Sequence, residues 1–431
     1  MDIMKLNIKR TVYIGLAFLT TMLLWQVYNW YVPIFLNDFL SDVFAGDKLV
    51  IGIIMALDNL FALFMIPLMS YFSDKTKNRL GRRVPYIIAG ILLSATFFVL
   101  LPFANDSGHI WLLIANTLLV LTAMNIYRSP CVALMPDVTP KPLRSKANSV
   151  INICGGCGVA IGYLSIVFFS YDNYIPFFIT SGVMILMLII FLFKVDEKKF
   201  VAEYRKQLEE AGISEEEDQK EEIIEGGATK TNYKNVLLIL AVVFFVFMAN
   251  NAVETFISLY SEYVFVETVS LPLNMNPGAL VIIPFGIGSF LCAVPAALLA
   301  SKIGRKRVVN IGAIMMAGAY IGVSILGYSM GFSYFLLLLF LIGGFGFSFI
   351  TINIYPLVID NCSSENVGKY TGYYYTASML AQSVTPAVAG LLMSGLVFND
   401  MRFLFPYATI CMIIALLVSL LIVDDKLKKE S

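Results

Sequence analysis

The sequence has little of what most enzymes and nucleic-acid-binding proteins use. It has one histidine, His109, in 431 residues, which excludes a catalytic or metal-binding cluster built on histidine. Its 30 basic and 30 acidic residues give a net charge of zero, which argues against a nucleic-acid partner because such proteins present a basic face. No pair of a nucleophile and a base stands out. We therefore expect neither an enzyme nor a bound cofactor or metal.

Disulfide bonds are not expected either. The six cysteines all fall in predicted membrane spans or at their ends, where an oxidised framework is unusual. Cys154 and Cys157 match a CxxC redox pattern. However, they lie in an apolar, glycine-rich span, so the pattern is typical of helix packing.

Hydrophobic residues make up 58% of the chain, against about 45–50% in soluble domains. A membrane-spanning helix needs about 20 apolar residues, and lipid favours helices because each satisfies its own backbone hydrogen bonds. The sequence predicts an all-α polytopic membrane protein with twelve transmembrane helices in two six-helix bundles. The predicted spans are 11–36, 49–73, 84–104, 109–136, 147–170, 175–194, 235–262, 278–301, 308–328, 333–360, 367–395 and 403–424.

Basic residues predict the orientation, because lysine and arginine concentrate on the cytoplasmic side. With the N-terminus in the cytoplasm, every basic residue except Lys48, Arg128 and Arg402 lies on that side. Both termini are then cytoplasmic. Residues 195–234, with acidic residues at 215–218, read as a linker that is a solvated helix or disordered and carries no chemistry. This predicts three regions: an N-terminal bundle 1–194, the cytoplasmic linker 195–234 and a C-terminal bundle 235–431.

An internal repeat supports two related halves. Three groups of residues recur 223 positions later: 81–83 and 304–306 after spans 2 and 8, Asp137 and Asp360 at the ends of spans 4 and 10, and Lys146 and Lys369 at the starts of spans 5 and 11. Three matches with one offset indicate a duplication. Both halves begin on the same side, so the repeat is parallel, with its axis along the membrane normal.

Three charged residues lie inside predicted spans: Asp58, Arg128 and Glu254. Such a charge costs about 2.5–3.5 kcal/mol on insertion scales and usually faces a cavity. We expect Asp58 and Glu254 to couple transport to a proton or cation, and Arg128 to bind substrate. The alternatives are a structural ion pair for Arg128 and a position near the outer interface for the two acids.

Amides and aromatic rings share these spans, and they suit a ligand with hydroxyls and apolar C–H faces. The alternative is that the amides hold helices together, as they often do in lipid. The predicted substrate-binding residues are Trp25, Gln26, Asn29, Asn125, Arg128, Asn251, Asn353, Tyr374 and Gln382. Gly158 with Gly162, and Gly368 with Gly372, form GxxxG pairs that predict close helix packing.

The sequence SDKTKNRLGRRVPYI at residues 73–87 resembles the loop 2–3 motif of the major facilitator superfamily. Its form is similar to that of the glycoside–pentoside–hexuronide:cation symporters and the related sucrose/proton symporters. SPCVALMPD at 129–137, which ends span 4, is similar to the same family. RSKAN at 144–148, GVAIGY at 158–163 and LYSEY at 259–263 resemble the sucrose branch.

The resemblance implies the major facilitator fold and a cytoplasmic gate formed by Asp74, Arg82, Arg83 and Asp137. It also implies that Asp74 meets the positive N-terminal end of span 11 when the carrier is open outward. Sodium-coupled members of the family carry aspartates on spans 1, 2 and 4. The corresponding positions here are Met22, Ala62, Ile66 and Arg128, so their sodium site is not expected.

The function expected from all these features is symport of a sugar or glycoside with a proton or cation, by alternating access. A neutral sugar and an acidic one both remain open, since the motifs favour the first and Arg128 the second. The alternatives are a uniporter or an exporter of another small organic solute and, from a different class, a membrane sensor. The expected partners are the substrate, the coupling ion and the lipid of a plasma membrane, with the chain acting as a monomer.

Overall fold

The computed structural model describes residues 6–41, 43–214, 218, 231–265, 271–272, 275–363 and 366–423. Over these residues the chain is almost entirely helical, which confirms the predicted class. Its helices are α1 Ile8–Leu40, α2 Asp47–Lys75, α3 Val84–Asp106, α4 Ile110–Asp137, α5 Lys141–Phe169, α6 Ile175–Lys194, α7 Glu197–Ala211, α8 Tyr233–Tyr260, α9 Pro277–Leu291, α10 Ala293–Ile303, α11 Arg305–Ser329, α12 Phe335–Asp360, α13 Val367–Met393 and α14 Leu404–Leu420. A π-helical turn, Ser261–Phe265, continues α8.

Eleven or twelve membrane spans follow from these helices. Among the described residues, eleven segments are each long and apolar enough to cross a bilayer, and α9 and α10 pass the same test as a pair bent by 48°, which makes a twelfth span if the pair crosses as one. Pro295 explains the bend, because it has no N–H for the carbonyl of Leu291 and its ring clashes with that group. The single helix predicted at 278–301 is therefore corrected to two.

Contacts divide the chain into two compact units. Unit 1 contains residues 1–39 and 60–221, and unit 2 contains residues 40–59 and 222–431, so the two halves of α2 belong to different units. In unit 1, α3 packs against α4 and α6. Its buried aromatic cluster is centred on Phe177, whose ring lies 5.1 Å from that of Tyr31, 5.7 Å from Phe35 and 4.8 Å from Phe98.

In unit 2, α12 packs against α11 and α9, while α8 packs against α13 and α14. Its aromatic cluster is centred on Phe405, with the rings of Tyr260 at 4.9 Å, Tyr320 at 5.7 Å and Phe340 at 5.9 Å. The first half of α2 lies against α13 in this unit. A β-carbon built at Gly52 would lie 2.0 Å from the carbonyl oxygen of Pro386, so the backbones approach closely there.

The two units repeat the same packing, as the offset of 223 residues predicts. Spans 3 and 4 are in contact in unit 1 as α3 and α4, and their equivalents in unit 2, α11 and α12, are also in contact. Spans 3 and 6 pair as α3 and α6, and spans 9 and 12 pair as α11 and α14.

The first part of the predicted linker is a helix with a buried face, which corrects the prediction of a solvated helix or disorder. Helix α7 buries Phe200, Tyr204 and Leu208, spaced four residues apart, so these side chains share one face. Asp218 is also buried, at 3% exposure. Helix α7 and Asp218 both belong to unit 1. The acidic residues at 215–217 lie outside the described residues.

The two GxxxG pairs differ. A β-carbon at Gly158 would lie 2.4 Å from the carbonyl oxygen of Leu19, and one at Gly162 would lie 2.9 Å from Gln26 Cβ, so close packing of α1 on α5 is confirmed. At Gly368 and Gly372, no described neighbour lies within 4 Å of such an atom, so the packing predicted there was wrong. The same α1–α5 contact contains Cys154, which is buried against Gly15 as a free thiol.

Candidate functional site

Arg128 lies on α4, nine residues before the end of the helix at Asp137. Its guanidinium carbon is 5.5 Å from the centre of the Trp25 ring on α1, which is the geometry of a cation–π contact. Both side chains are partly exposed. The Trp25 ring in turn stacks on Tyr28 at 6.0 Å. The arginine is thus held over an aromatic face and still has an accessible surface.

The other predicted residues of unit 1 lie on the same two helices. Asn125 is fully buried one turn before Arg128, and its Nδ2 donates to the Leu121 carbonyl at 2.9 Å. Its Oδ1 has no hydrogen-bond donor among the described residues. Gln26 and Asn29 are partly exposed on α1, and Gln26 packs on Gly162.

The predicted residues of unit 2 include Asn251 on α8 and Tyr374 and Gln382 on α13. Asn251 is 8% exposed, and its Oδ1 has no donor among the described residues. Tyr374 packs edge-on against Tyr355 at 5.2 Å. Gln382 donates through Nε2 to the Ser378 carbonyl at 3.1 Å. These side chains place amide and ring groups along two helices that pack together.

Asn353, on α12, differs from these residues because its amide donates to carbonyl groups of two helices. Its Nδ2 donates to the Phe349 carbonyl at 2.9 Å and to the Ala296 carbonyl on α10 at 3.4 Å. It is 3% exposed. The amide therefore joins two helices, which is the alternative that the sequence left open for such residues.

The two candidate coupling carboxylates are in different surroundings, and both belong to unit 2. Asp58 is 3% exposed, in the first half of α2. Glu254 is partly exposed on α8, three residues after Asn251 and so on the same side of that helix. Each carboxylate interacts with other residues.

The four predicted gate residues meet at the α2–α3 loop. Arg83 donates through Nε to Asp137 at 2.8 Å, and its Nη2 lies 2.5 Å from Asp74 Oδ1. Arg82 pairs with the other oxygen of Asp137 at 2.8 Å. Arg83 also donates to the Ser73 hydroxyl at 2.5 Å. Because Arg83 is buried while each of its nitrogens has an acceptor, the cluster fixes the ends of α2, α3 and α4 together.

Glu197, at the start of α7, was missed by the sequence reasoning. It is 2% exposed, and its carboxylate accepts the backbone N–H groups of Arg82, Arg83 and Val84 at 2.8, 2.9 and 3.0 Å. The N–H groups of Arg83 and Val84 are unpaired donors at the N-terminus of α3, and that of Arg82 lies just before them, where the helix dipole favours an anion. Gly81, with φ of 112°, admits the carboxylate because a β-carbon there would collide with it.

Two more acids of the predicted linker contact unit 1. Asp218 accepts the Lys141 backbone N–H at the start of α5 at 2.9 Å and pairs with Arg144 at 3.2 Å. Glu203 pairs with Arg10 on α1 at 3.3 Å. The signal that predicts this docking is the apolar four-residue spacing of α7 within a charged stretch.

No group of three or more histidine, cysteine or acidic residues that could hold a metal occurs in the described part of the chain.

The model of the Major Facilitator Superfamily matches residues 14–287, and it matches a second time over residues 268–431. The chain belongs to the major facilitator superfamily.

Known proteins support the same assignment. An uncharacterised transporter of this superfamily from Methanocaldococcus jannaschii is 27% identical over 396 residues, covering 86% of this chain and 88% of that protein. The xylose transporter XylE of E. coli, in an inward-open conformation, has a TM-score of 0.69 at 15% identity over 96% of both chains. A POT peptide transporter also scores 0.69, at 12% identity, over 96% of this chain and 94% of its own. At these identities, the two structures show a shared fold alone.

Proposed function

We propose that this membrane transporter carries a sugar or glycoside together with a proton or cation, by alternating access. In this proposal the bundles 1–194 and 235–431 rock about a central site, the linker 195–234 joins them, and both termini face the cytoplasm of a cell bounded by the plasma membrane. The basic residues on one side of the predicted topology support this orientation.

One observation carries the proposal: Arg128 is partly exposed within a span while its guanidinium rests on the Trp25 ring. A charge is seldom kept there without a function. An indole face beside a fork of hydrogen-bond donors suits a ligand that has both C–H faces and oxygen acceptors. Unit 2 by itself carries amide and ring groups of the same kind, at Asn251, Tyr374 and Gln382.

The fold does not select the substrate, because the xylose and peptide transporters match with the same TM-score. Support for a sugar comes from this chain's residues: the loop 2–3 motif, the run at 129–137, and the combination of amides with aromatic rings. Asp58 and Glu254 support coupling, because a carboxylate inside a span can take up and release a proton or bind a cation.

Counterflow in proteoliposomes tests this function. Vesicles are loaded with one unlabelled sugar or glycoside from a panel, and entry of the same labelled compound is followed. We expect transient accumulation for a subset of the panel, and net uphill uptake when an inward proton or sodium gradient is imposed. A sensor binds ligand without any counterflow, and a uniporter exchanges ligand without responding to either gradient.

A further inference from the structure

Within unit 2, the first half of α2 is joined to α13 by a hydrogen bond from a side chain to the backbone. Asn59 Nδ2 on α2 donates to the carbonyl oxygen of Gln382 on α13 at 3.3 Å. Nearer the start of α2, the two backbones approach closely at Gly52 and Gly390, where a β-carbon would collide with a carbonyl oxygen of the other helix. We call this region, residues 47–59 against 382–395, the α2–α13 contact. It combines close backbone packing with one polar bond at its inner end.

Pro386 explains why the Gln382 carbonyl is available to Asn59. In an α-helix the carbonyl of residue i accepts the N–H of residue i+4, and here that residue is a proline, which has no N–H. A backbone carbonyl within a span needs another donor, and the Asn59 amide supplies it. Both Asn59 and Gln382 are partly exposed, so water can replace the amide when the helices separate. The bond is therefore suited to being broken and formed again.

Asn116 makes a bond of the same type but in different surroundings. Its Nδ2 donates to the Phe97 carbonyl at 3.0 Å and joins α4 to α3 within unit 1. Asn116 is only 6% exposed, and the residue four positions after Phe97 is Leu101, which has an N–H for the same carbonyl. This bond therefore stays protected from water, and its acceptor does not depend on the amide.

The second half of α2 is held more firmly, within unit 1. The hydroxyls of Ser70 and Ser129 are 2.6 Å apart, and Asp74 pairs with the buried Arg83. Because α2 is one continuous helix, it cannot keep the contacts of both its halves while the bundles rock, unless it bends. A neutral hydrogen bond at 3.3 Å is weaker than a charged pair, so the α2–α13 contact is the one expected to separate.

We infer that Asn59 is a positioning residue of the transport cycle. Its bond to the Gln382 carbonyl holds the first half of α2 on α13 while the outer side is closed, and it breaks when that side opens. Pro386 gives the bond its importance by removing the carbonyl's own helical donor. This inference rests on the proposed function and on the proposed orientation, in which α2 begins on the outside at Asp47.

A disulfide across the outer end of the contact tests whether it must open. A β-carbon at Gly395 would lie 3.2 Å from Ala45 Cβ, and both residues are exposed, so a cysteine pair at these positions can form a disulfide. The pair is introduced into the full-length protein with the exposed Cys157 replaced by alanine. We expect oxidation to stop counterflow and a reducing agent to restore it.

A reporter cysteine at Met55 measures how often the contact opens. Met55 is 5% exposed and lies three residues after Gly52 and four before Asn59, on the same face of α2. In Met55→Cys, a membrane-impermeant maleimide added from the outer side reacts only when the contact separates. We expect Asn59→Ala to raise the rate about three- to tenfold, the range that one net hydrogen bond gives.

Two further substitutions separate this role from a general loss of packing. Pro386→Ala gives the Gln382 carbonyl a helical N–H again, so in that background Asn59→Ala should change the labelling rate less than twofold. Asn116→Ala is the matched control and should leave the rate unchanged, because it removes an amide-to-carbonyl bond away from the contact. The rescue by Pro386→Ala is the result that a merely structural asparagine would not give.

Three results would overturn the inference: oxidised protein that exchanges solute as fast as reduced protein, equal labelling of Asn59→Ala and the parent, or an increase that Pro386→Ala does not reduce. If the reduced parent exchanges a solute in any of these cases, the inference fails and the proposed function stands. If the reduced parent exchanges no solute, the proposed function fails, while the labelling rates still show whether Asn59 holds α2 on α13.

Discussion

Arg305 Nη1 lies 2.6 Å from Asp360 Oδ2, and 223 residues earlier Arg82 Nη2 lies 2.8 Å from Asp137 Oδ1. The two pairs join equivalent positions of the two halves, so the duplication has kept an interaction as well as a motif. The halves differ in the next residue. Arg83 is buried between Asp74 and Asp137, whereas Lys306 donates to the carbonyl of Leu420 at the end of α14.

This difference predicts unequal costs for the same substitution. Asp137→Asn leaves the buried Arg83 with one carboxylate partner instead of two, so we expect a loss of about 2–3 kcal/mol in unfolding free energy. Asp360→Asn breaks a pair whose side chains are 38% and 33% exposed. There we expect a loss of about 1 kcal/mol or less. Denaturant unfolding of both variants in detergent measures the difference, and equal losses would contradict it.

Glu197→Gln should release α7 from the end of α3. The amide has one oxygen for three N–H donors and no charge for the helix dipole, which we expect to cost about 2 kcal/mol. Trypsin cleavage at Lys198 and Lys199 should become about tenfold faster or more. Glu209→Gln is the control, because Glu209 is exposed on the same helix. Equal cleavage of both variants would show that the carboxylate does not hold α7 in place.

Asp74→Asn tests the predicted gate. The resemblance assigns Asp74 a contact with span 11 in the outward-open state, so its loss should favour inward-open states while substrate affinity is largely kept. Reporter cysteines on the two sides of the membrane measure this by their reactivity with maleimide. Cys157 is exposed and should be removed first, whereas burial raises the pKa of the Cys362 thiol and slows its reaction. Unchanged reactivity on both sides would refute the gate.

Glu254→Gln and Asp58→Asn test coupling. Each change removes a group that can take up and release a proton, so uphill accumulation should be abolished while exchange stays measurable. Asp38→Asn is the control, because Asp38 is exposed near the end of α1. Uptake against a gradient in both single variants and in the double variant would show that neither carboxylate couples transport.

Composition and the repeat predicted the fold because twelve apolar runs and a shared offset leave few architectures for a membrane protein. Helix ends were predicted less well. Span 5 was expected from residue 147, but α5 begins at Lys141. Hydrophobicity marks where the lipid ends, and a helix continues past that point when water and side chains satisfy its first turn.

The candidate site was predictable where a residue is unusual for its surroundings, as Arg128 is within a span. Its contact with Trp25 depends on how α1 and α4 pack, and the sequence predicted only that these helices share a bundle. Glu197 was missed because a charged stretch has the same local composition whether its helix is docked or solvated. Asn353 shows the opposite ambiguity, since a membrane amide that joins helices has the same sequence signature as one that binds a ligand.

The two GxxxG pairs allow a matched test of packing in this chain. At Gly158, a methyl group would lie 2.4 Å from the Leu19 carbonyl oxygen, a backbone atom that cannot turn aside. Gly158→Ala must therefore push α1 and α5 apart, at a cost of about 1–3 kcal/mol. At Gly368 the same methyl group meets no described neighbour, and alanine favours a helix over glycine by up to about 1 kcal/mol. Gly368→Ala should be neutral or stabilising in the same unfolding measurement. Since both substitutions add one methyl group to a span with the same motif, a similar loss in both would show that neighbour contacts do not decide the effect.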